Sequence, residues 1–324
     1  MSSVTGRSEL DAEPSGDTAS TGRLGDRIFS GLATGSGAFV VILILLVAAF
    51  LIREALPALM DDKANFFTDR VWDVNASPAK FGIPDLLYVT VISSLMAMVI
   101  AVPVAIAVAL FLTQYAPKRL ATPFGYVIDL LAAVPSIIFG LWGLNILAPH
   151  VKPVQDFLGK FFGWIPLFDP PAVSGTVFLA SLVLAMMILP IVTALSREVF
   201  DQTPLTHKEG ALALGATKWE MIRTAVLPFG APGVVSAAML GLGRALGETI
   251  AVTIIVSTNP GAFRFSLFSG GETFASKIAN NAGEFDTPLK AGAYISAGLV
   301  LFILTFAVNA AARIIIERRK AFTE

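Results

Sequence analysis

Long apolar runs separated by short polar segments set the pattern of this chain. Four stretches carry no charge at all: Ile28–Ile52, Leu86–Pro117, Pro170–Ser196 and Ala291–Ala312. Each meets the ~20 residues that a helix needs to cross a bilayer. Two further stretches, Leu120–Pro149 and Thr224–Phe263, are interrupted only by Asp129 and by Arg244 with Glu248. The pattern predicts six transmembrane helices, at 31–56, 85–113, 123–148, 173–196, 230–257 and 291–313. The fold class is therefore an all-α polytopic membrane protein. Residues 1–27 read as a disordered tail rich in Ser, Thr, Gly, Asp and Glu, without the layout of a cleaved signal peptide. The membrane domain covers 28–317, and 318–324 is a second tail. Residues 57–84, 149–172 and 258–290 form connections on one face. The aromatic-rich 149–172 suits the interface, and FASKIAN within 258–290 suits a short helix.

The connection between the fourth and fifth spans, 204–228, is too polar to cross a bilayer and reads as two short capped helices. Thr206 with Glu209, and Thr217 with Glu220, each fit the capping-box spacing. Gly215 stands between them, where a helix end wants a residue that tolerates positive φ. Pro228 closes the second helix or opens the next element. The product is a helix–Gly–helix elbow with Met221, Trp219, Leu212 and Ala213 available for docking, or else an ordinary surface connector.

Composition narrows the function. Of 324 residues 55% are hydrophobic and 15% charged, with mean hydropathy +0.74, against about a quarter charged in soluble domains. Cysteine is absent, which excludes disulfides and thiolate metal sites, and the two histidines, His150 and His207, fall in separate loops. No metal or other cofactor is expected in this chain. The P-loop pattern is missing, since the one Gly-Lys pair, Gly159-Lys160, is followed by Phe161. HExxH and GxSxG are missing too, so the chain reads as a non-enzyme without its own ATPase site, and no nucleic-acid partner is expected. With both termini inside, thirteen Lys and Arg fall on the inner side and nine on the outer. That bias has the sign of the positive-inside rule and places the elbow in the cytoplasm.

The fifth span carries Arg244 near its middle and Glu248 four residues later, one turn away on the same face of a continuous helix. A mid-membrane arginine costs about 2.5–3.5 kcal/mol on insertion scales, which disfavours a lone lipid-facing placement. Two readings remain. The pair is a structural ion bridge between helices, or it lines a translocation route in which Arg244 meets an anionic substrate, its fork of donors matching a tetrahedral oxyanion. Glu248 could position the guanidinium, neutralise it, or repel a fully charged anion. Ser136 and Thr249 are weaker candidates for lining residues. Pro135 breaks the third span with Ser136 directly after it, Pro103 and Pro190 mark spans two and four, and Asp129 is expected to pair with Lys118 or Arg119.

Two segments carry a family resemblance. The elbow resembles the EAA loop of ABC importer permeases, with Glu209, Gly210, Ala211, Gly215, Leu227 and Pro228 at the matching positions. Gly210 replaces the usual Ala, and Ala225 stands where Ile is usual. The run Gly243-Arg-Ala-Leu-Gly-Glu-Thr249, with LLAAVPSIIFGLWG at 130–143, is similar to PstC-type permeases of phosphate (Pst) ABC importers. That resemblance implies a type I ABC importer permease fold in the bacterial plasma membrane. It implies a second homologous permease, an ATP-binding subunit dimer docked on Glu209–Trp219, and an external phosphate-binding protein. Arg244 and Glu248 would be the transport-critical pair. The competing class is a self-sufficient secondary anion carrier or channel using the same pair.

Overall fold

The computed structural model describes residues 24–169, 173–258 and 265–320. Helix α1 covers Leu24–Asp61. Residues up to Ala49 stand as one compact unit and Phe50–Glu324 as a second. Next come two short antiparallel strands, β1 (Trp72–Asp73) and β2 (Lys80–Phe81), in register Trp72 to Phe81. Helix α2 (Pro84–Leu110) runs on through a π turn, Phe111–Tyr115. Helix α3 (Lys118–Ala132) follows, then α4 (Ser136–Trp142), a π turn (Gly143–Leu147) and α5 (Ala148–Phe162). The rest of the chain gives α6 (Val177–Asp201), α7 (Leu205–Ala213), α8 (Lys218–Met221), a π turn (Ile222–Val226) and α9 (Leu227–Leu246). It closes with α10 (Ile250–Ile255), α11 (Phe274–Asn280) and α12 (Pro288–Lys320).

Among the described residues six helical stretches are long and apolar enough to cross a membrane: Gly25–Asp61, Pro84–Tyr115, Ser136–Phe162, Val177–Asp201, Lys218–Leu246 and Pro288–Ile314. Four match the sequence expectation in place. The fifth, expected over 230–257, starts at Lys218 and ends at Leu246. The third does not match either. Instead of one helix over 123–148, the chain breaks at Val134-Pro135, and the membrane-length helix is α4 through α5. Proline has no N–H to donate and disfavours helical backbone in the residue before it, so α3 cannot run into α4. The segment expected at the interface, 149–172, is accordingly helical as far as Phe162. The tail expected over 1–27 lies outside the described residues up to 23, and Leu24 to Arg27 already belong to α1. The short helix expected at 274–280 forms, held by a capping box between Thr273 and Ser276.

Helix α6 is the centre of the second unit. Of its most apolar stretch 72% is buried, against 17–33% for the other four membrane-length helices of that unit. Those four leave apolar side chains facing outward, as helices do that meet lipid or another subunit. Helix α2 packs on α6 through Ala97, Ala101, Ala105 and Ala109, all fully buried at four-residue spacing. Small side chains repeated every turn let two helix backbones approach closely.

At one end of the unit Trp72, Phe81, Phe66 and Tyr294 form an aromatic cluster, and the Tyr294 hydroxyl donates to Glu284 at 3.0 Å. Gly82 closes it. Its N–H donates to Val71 at 2.9 Å, and a Cβ there would collide with the backbone carbonyl of Asp69. Backbone cannot yield as a side-chain tip does. Gly82→Ala is therefore expected to destabilise the protein by about 1–3 kcal/mol, read as a lower midpoint in a thermal scan of the detergent-solubilised protein.

Candidate functional site: a broken helix and a surface elbow

The fifth span is broken where its charges sit. Helix α9 ends at Leu246, and α10 starts at Ile250 after a turn through Gly247–Thr249. The last bonds before the break are long, Gly247 N–H to Gly243 at 3.3 Å and Glu248 N–H to Ala245 at 3.4 Å. This corrects the expected geometry. Arg244 and Glu248 are not neighbours on one continuous helical face, and the described residues hold no ion pair between them. Glu248 is turned inward and buried, its Oε1 accepting the Ala251 N–H at 3.1 Å. In that position the carboxylate serves as a cap for the first turn of α10, where negative charge meets orphan N–H groups.

Arg244 is exposed on the opposite side, in an open cavity of about 790 Å³ between α9 and α12. The α9 wall carries Ser236, Met239, Leu240, Gly243 and Arg244, the i, i+3, i+4, i+7 series of one helix face. The α12 wall carries Asn309, Ala312 and Arg313. Neither Ser136 nor Thr249 belongs to this wall. Ser136 is the first residue of α4, and the Thr249 hydroxyl donates to the Gly247 carbonyl at 3.2 Å. Helices α4 and α10, each starting just after a break, run side by side, with Gly140 against Ala251 and Gly143 near Ile255. Asp129 pairs not with Lys118 or Arg119 but with Arg197 of α6, at 3.8 Å.

The elbow forms largely as its sequence demands. Helix α7 ends at Ala213 with Leu214 as its C-cap, after which Gly215 takes φ +87°. Its N–H bonds to the Leu212 carbonyl at 3.0 Å and the Ala216 N–H reaches back to Ala211 at 3.2 Å. That pair of bonds is the Schellman closure of a helix end. Thr217 then caps α8 in a complete box with Glu220, with bonds of 2.7 and 3.3 Å, worth about 1 kcal/mol. One expectation fails. The first box does not form, because Pro204 rather than Thr206 occupies the cap position of α7 and no side chain caps it. Of the two readings of Pro228, opening the next element is the one that holds, since it stands in the first turn of α9. The wide π turn before it, closed by Leu227 N–H to Ile222, spares the carbonyl that the proline ring would crowd.

The elbow's outer surface carries Leu205, Glu209, Gly210, Leu212, Leu214 and Trp219, with Leu214 91% exposed. Met221, expected outside, is buried with Phe200, Ile222 and Val226, and Ala211 and Leu227 pack on that cluster. The Lys218 ammonium sits 4.7 Å from the Tyr115 ring centre, tying α8 to the end of α2. Leu205 escaped the sequence reading because it precedes the motif, and Leu214 because it is one of the three unspecified residues between Ala211 and Gly215. Burial of Met221 follows from the continuous helix that places it inward.

Membrane-length helices packed round a buried central one, with an exposed two-helix elbow, make this the fold of a membrane permease. The family model for binding-protein-dependent transport system inner membrane components matches residues 101–321. Phosphate transport system permease protein PstC 2 of Mycobacterium tuberculosis is 57% identical over 298 residues, 90% of this chain and 92% of that protein. PstC of Mesorhizobium japonicum is 39% identical over 93% of this chain and 92% of its own length. Among solved structures, a bacterial ABC transporter involved in the import of the acidic polysaccharide alginate superposes with TM-score 0.54 at 14% identity, covering 90% of this chain and 99% of that one. The chain belongs to the binding-protein-dependent transport system permeases of ABC importers, and within them to the PstC type.

Proposed function

We propose that this chain is one half of the translocation pathway of an ATP-driven importer of inorganic phosphate. The carrying observation is the pairing of close relatives named as phosphate transport permeases with an arginine that faces a cavity inside the membrane domain. A second homologous permease completes the pathway against the outward apolar faces of the bundle. An ATP-binding subunit dimer docks on Leu205, Glu209, Leu212, Leu214 and Trp219, with Gly210, Ala211, Gly215, Leu227 and Pro228 holding the elbow in shape. An external phosphate-binding protein delivers the anion. Both termini lie in the cytoplasm of a bacterial cell. Arg244 contacts the anion, Glu248 holds the helix break that presents Arg244, and Ser136 and Thr249 stand at the starts of the neighbouring helices α4 and α10. ATP hydrolysis belongs to the partner subunits.

The test is uptake of labelled phosphate into proteoliposomes holding the co-purified complex and its binding protein, with sulfate as competitor. Uptake that requires ATP and ignores sulfate is the expected result. Uptake driven by an ion gradient without ATP would establish the secondary-carrier reading instead.

A further inference from the structure

The cavity that exposes Arg244 holds a second cation that sequence reading had counted only as an inner-side charge. Arg313 of α12 lines it, with Asn309 one turn away on the same face and Ser236 on the facing wall. Among the described residues the lining includes no acid, and Glu248 is turned away into the α10 cap. Two guanidinium groups, an amide and a hydroxyl therefore line one space with donors available and, among the described residues, no carboxylate to neutralise them. No ion pair of Arg244 or Arg313 occurs among the described residues. Uncompensated cations of this kind inside a membrane domain mark an anion path.

The two cations are also staggered. Ser236 lies eight residues before Arg244, about 12 Å nearer the elbow at 1.5 Å per residue. Helix α12 runs back against α9, so Arg313 lies nearer the elbow end of the cavity than Asn309 does. A path with two weak stations releases its ion more readily than one with a single tight site.

We infer that Arg313, with Asn309 and Ser236, forms a second oxyanion station on the elbow side of Arg244, to which the transported anion passes before release. This rests on the proposed phosphate import and adds the exit half of the route. The alternative is a charge anchored at the membrane surface, which would have no effect on transport rate.

Because this chain has no cysteine, Arg313→Cys offers a thiol unique within the subunit. In proteoliposomes of the whole complex this variant is expected to lower ATP-driven phosphate uptake about tenfold, the loss of one charged hydrogen bond. Assembly should be unchanged by co-purification. Treatment with aminoethyl methanethiosulfonate, which restores a cation, should recover most of the rate, and the sulfonatoethyl reagent should not. The wild-type complex treated in parallel controls for partner thiols, and Arg313→Lys, which keeps the charge, serves as the folding control. Uptake by Arg313→Cys within twofold of wild type overturns the station alone, as does loss that the cationic reagent leaves unrepaired in an assembled complex. Failure of Arg313→Lys to assemble overturns it too, showing a structural need for the guanidinium. A wild-type complex that moves no phosphate with ATP overturns the import reading and the station together.

Discussion

Replacing Arg244 by glutamine is expected to cut ATP-driven phosphate uptake at least ~100-fold, since two hydrogen bonds from a charged group contribute about 3 kcal/mol between them. Assembly should survive, because Arg244 is exposed to the cavity and carries no ion pair within the described fold. Arg244→Lys keeps the charge and loses the fork, so it should fall between the two. ATP hydrolysis stimulated by the loaded binding protein should persist, since Arg244 sits at the far end of α9 from the elbow, roughly 24 Å from Pro228 at 1.5 Å per residue. Loss of that stimulation would mean that Arg244 holds the fold rather than meets the anion. Glu248 needs a different comparison. Glutamine there keeps an oxygen for the Ala251 N–H and alanine does not. Uptake falling further for Glu248→Ala than for Glu248→Gln would assign the residue to capping. Equal loss would assign it to charge.

How far the sequence carried these conclusions depends on which residues decide. Charge-free length places a helix in a membrane, and four of the six spans come from that alone. The elbow was legible because Gly215 and the Thr217–Glu220 box act locally, through backbone conformation and bonds three residues apart. The break at 247–249 was not, and the one at Pro135 was legible only in part. Pro135 reads as breaking the third span, but the apolar run around it still reads as one span over 123–148. Only the fold shows the chain leaving α3 and restarting at Ser136. Residues 247–249 follow a helical pattern closely enough that Arg244 and Glu248 read as one-turn neighbours. In the fold, the Glu248 side chain caps α10 and the guanidinium is left to the cavity. Arg313 was hidden for another reason. Its neighbourhood is made by a helix nearly seventy residues away in sequence, and no local pattern reports that. Asp129 failed likewise, choosing Arg197 across helices over two cations on its own.

The second large effect belongs to Gly215. Its φ of +87° lies in the left-handed region, and a Cβ there would meet nothing within 4 Å. The requirement is therefore one of backbone conformation and not of space. Proline fixes φ near −65° and also removes the N–H that bonds to Leu212. Gly215→Pro must reshape the corner between α7 and α8, and with it the angle at which Leu212, Leu214 and Trp219 are offered to a partner. Phosphate uptake per ATP hydrolysed is expected to fall at least tenfold, while the binding protein, a separate chain, keeps its phosphate affinity. Asparagine enters the left-handed region more readily than other side chains, so Gly215→Asn should stay close to wild type. Alanine, at a cost of about 1–2 kcal/mol, should lie between. The order Gly, Asn, Ala, Pro follows φ alone, whereas a surface that merely needed a small residue would rank alanine ahead of asparagine. Normal coupled uptake in the proline variant would show that the elbow's shape does not transmit the ATPase stroke.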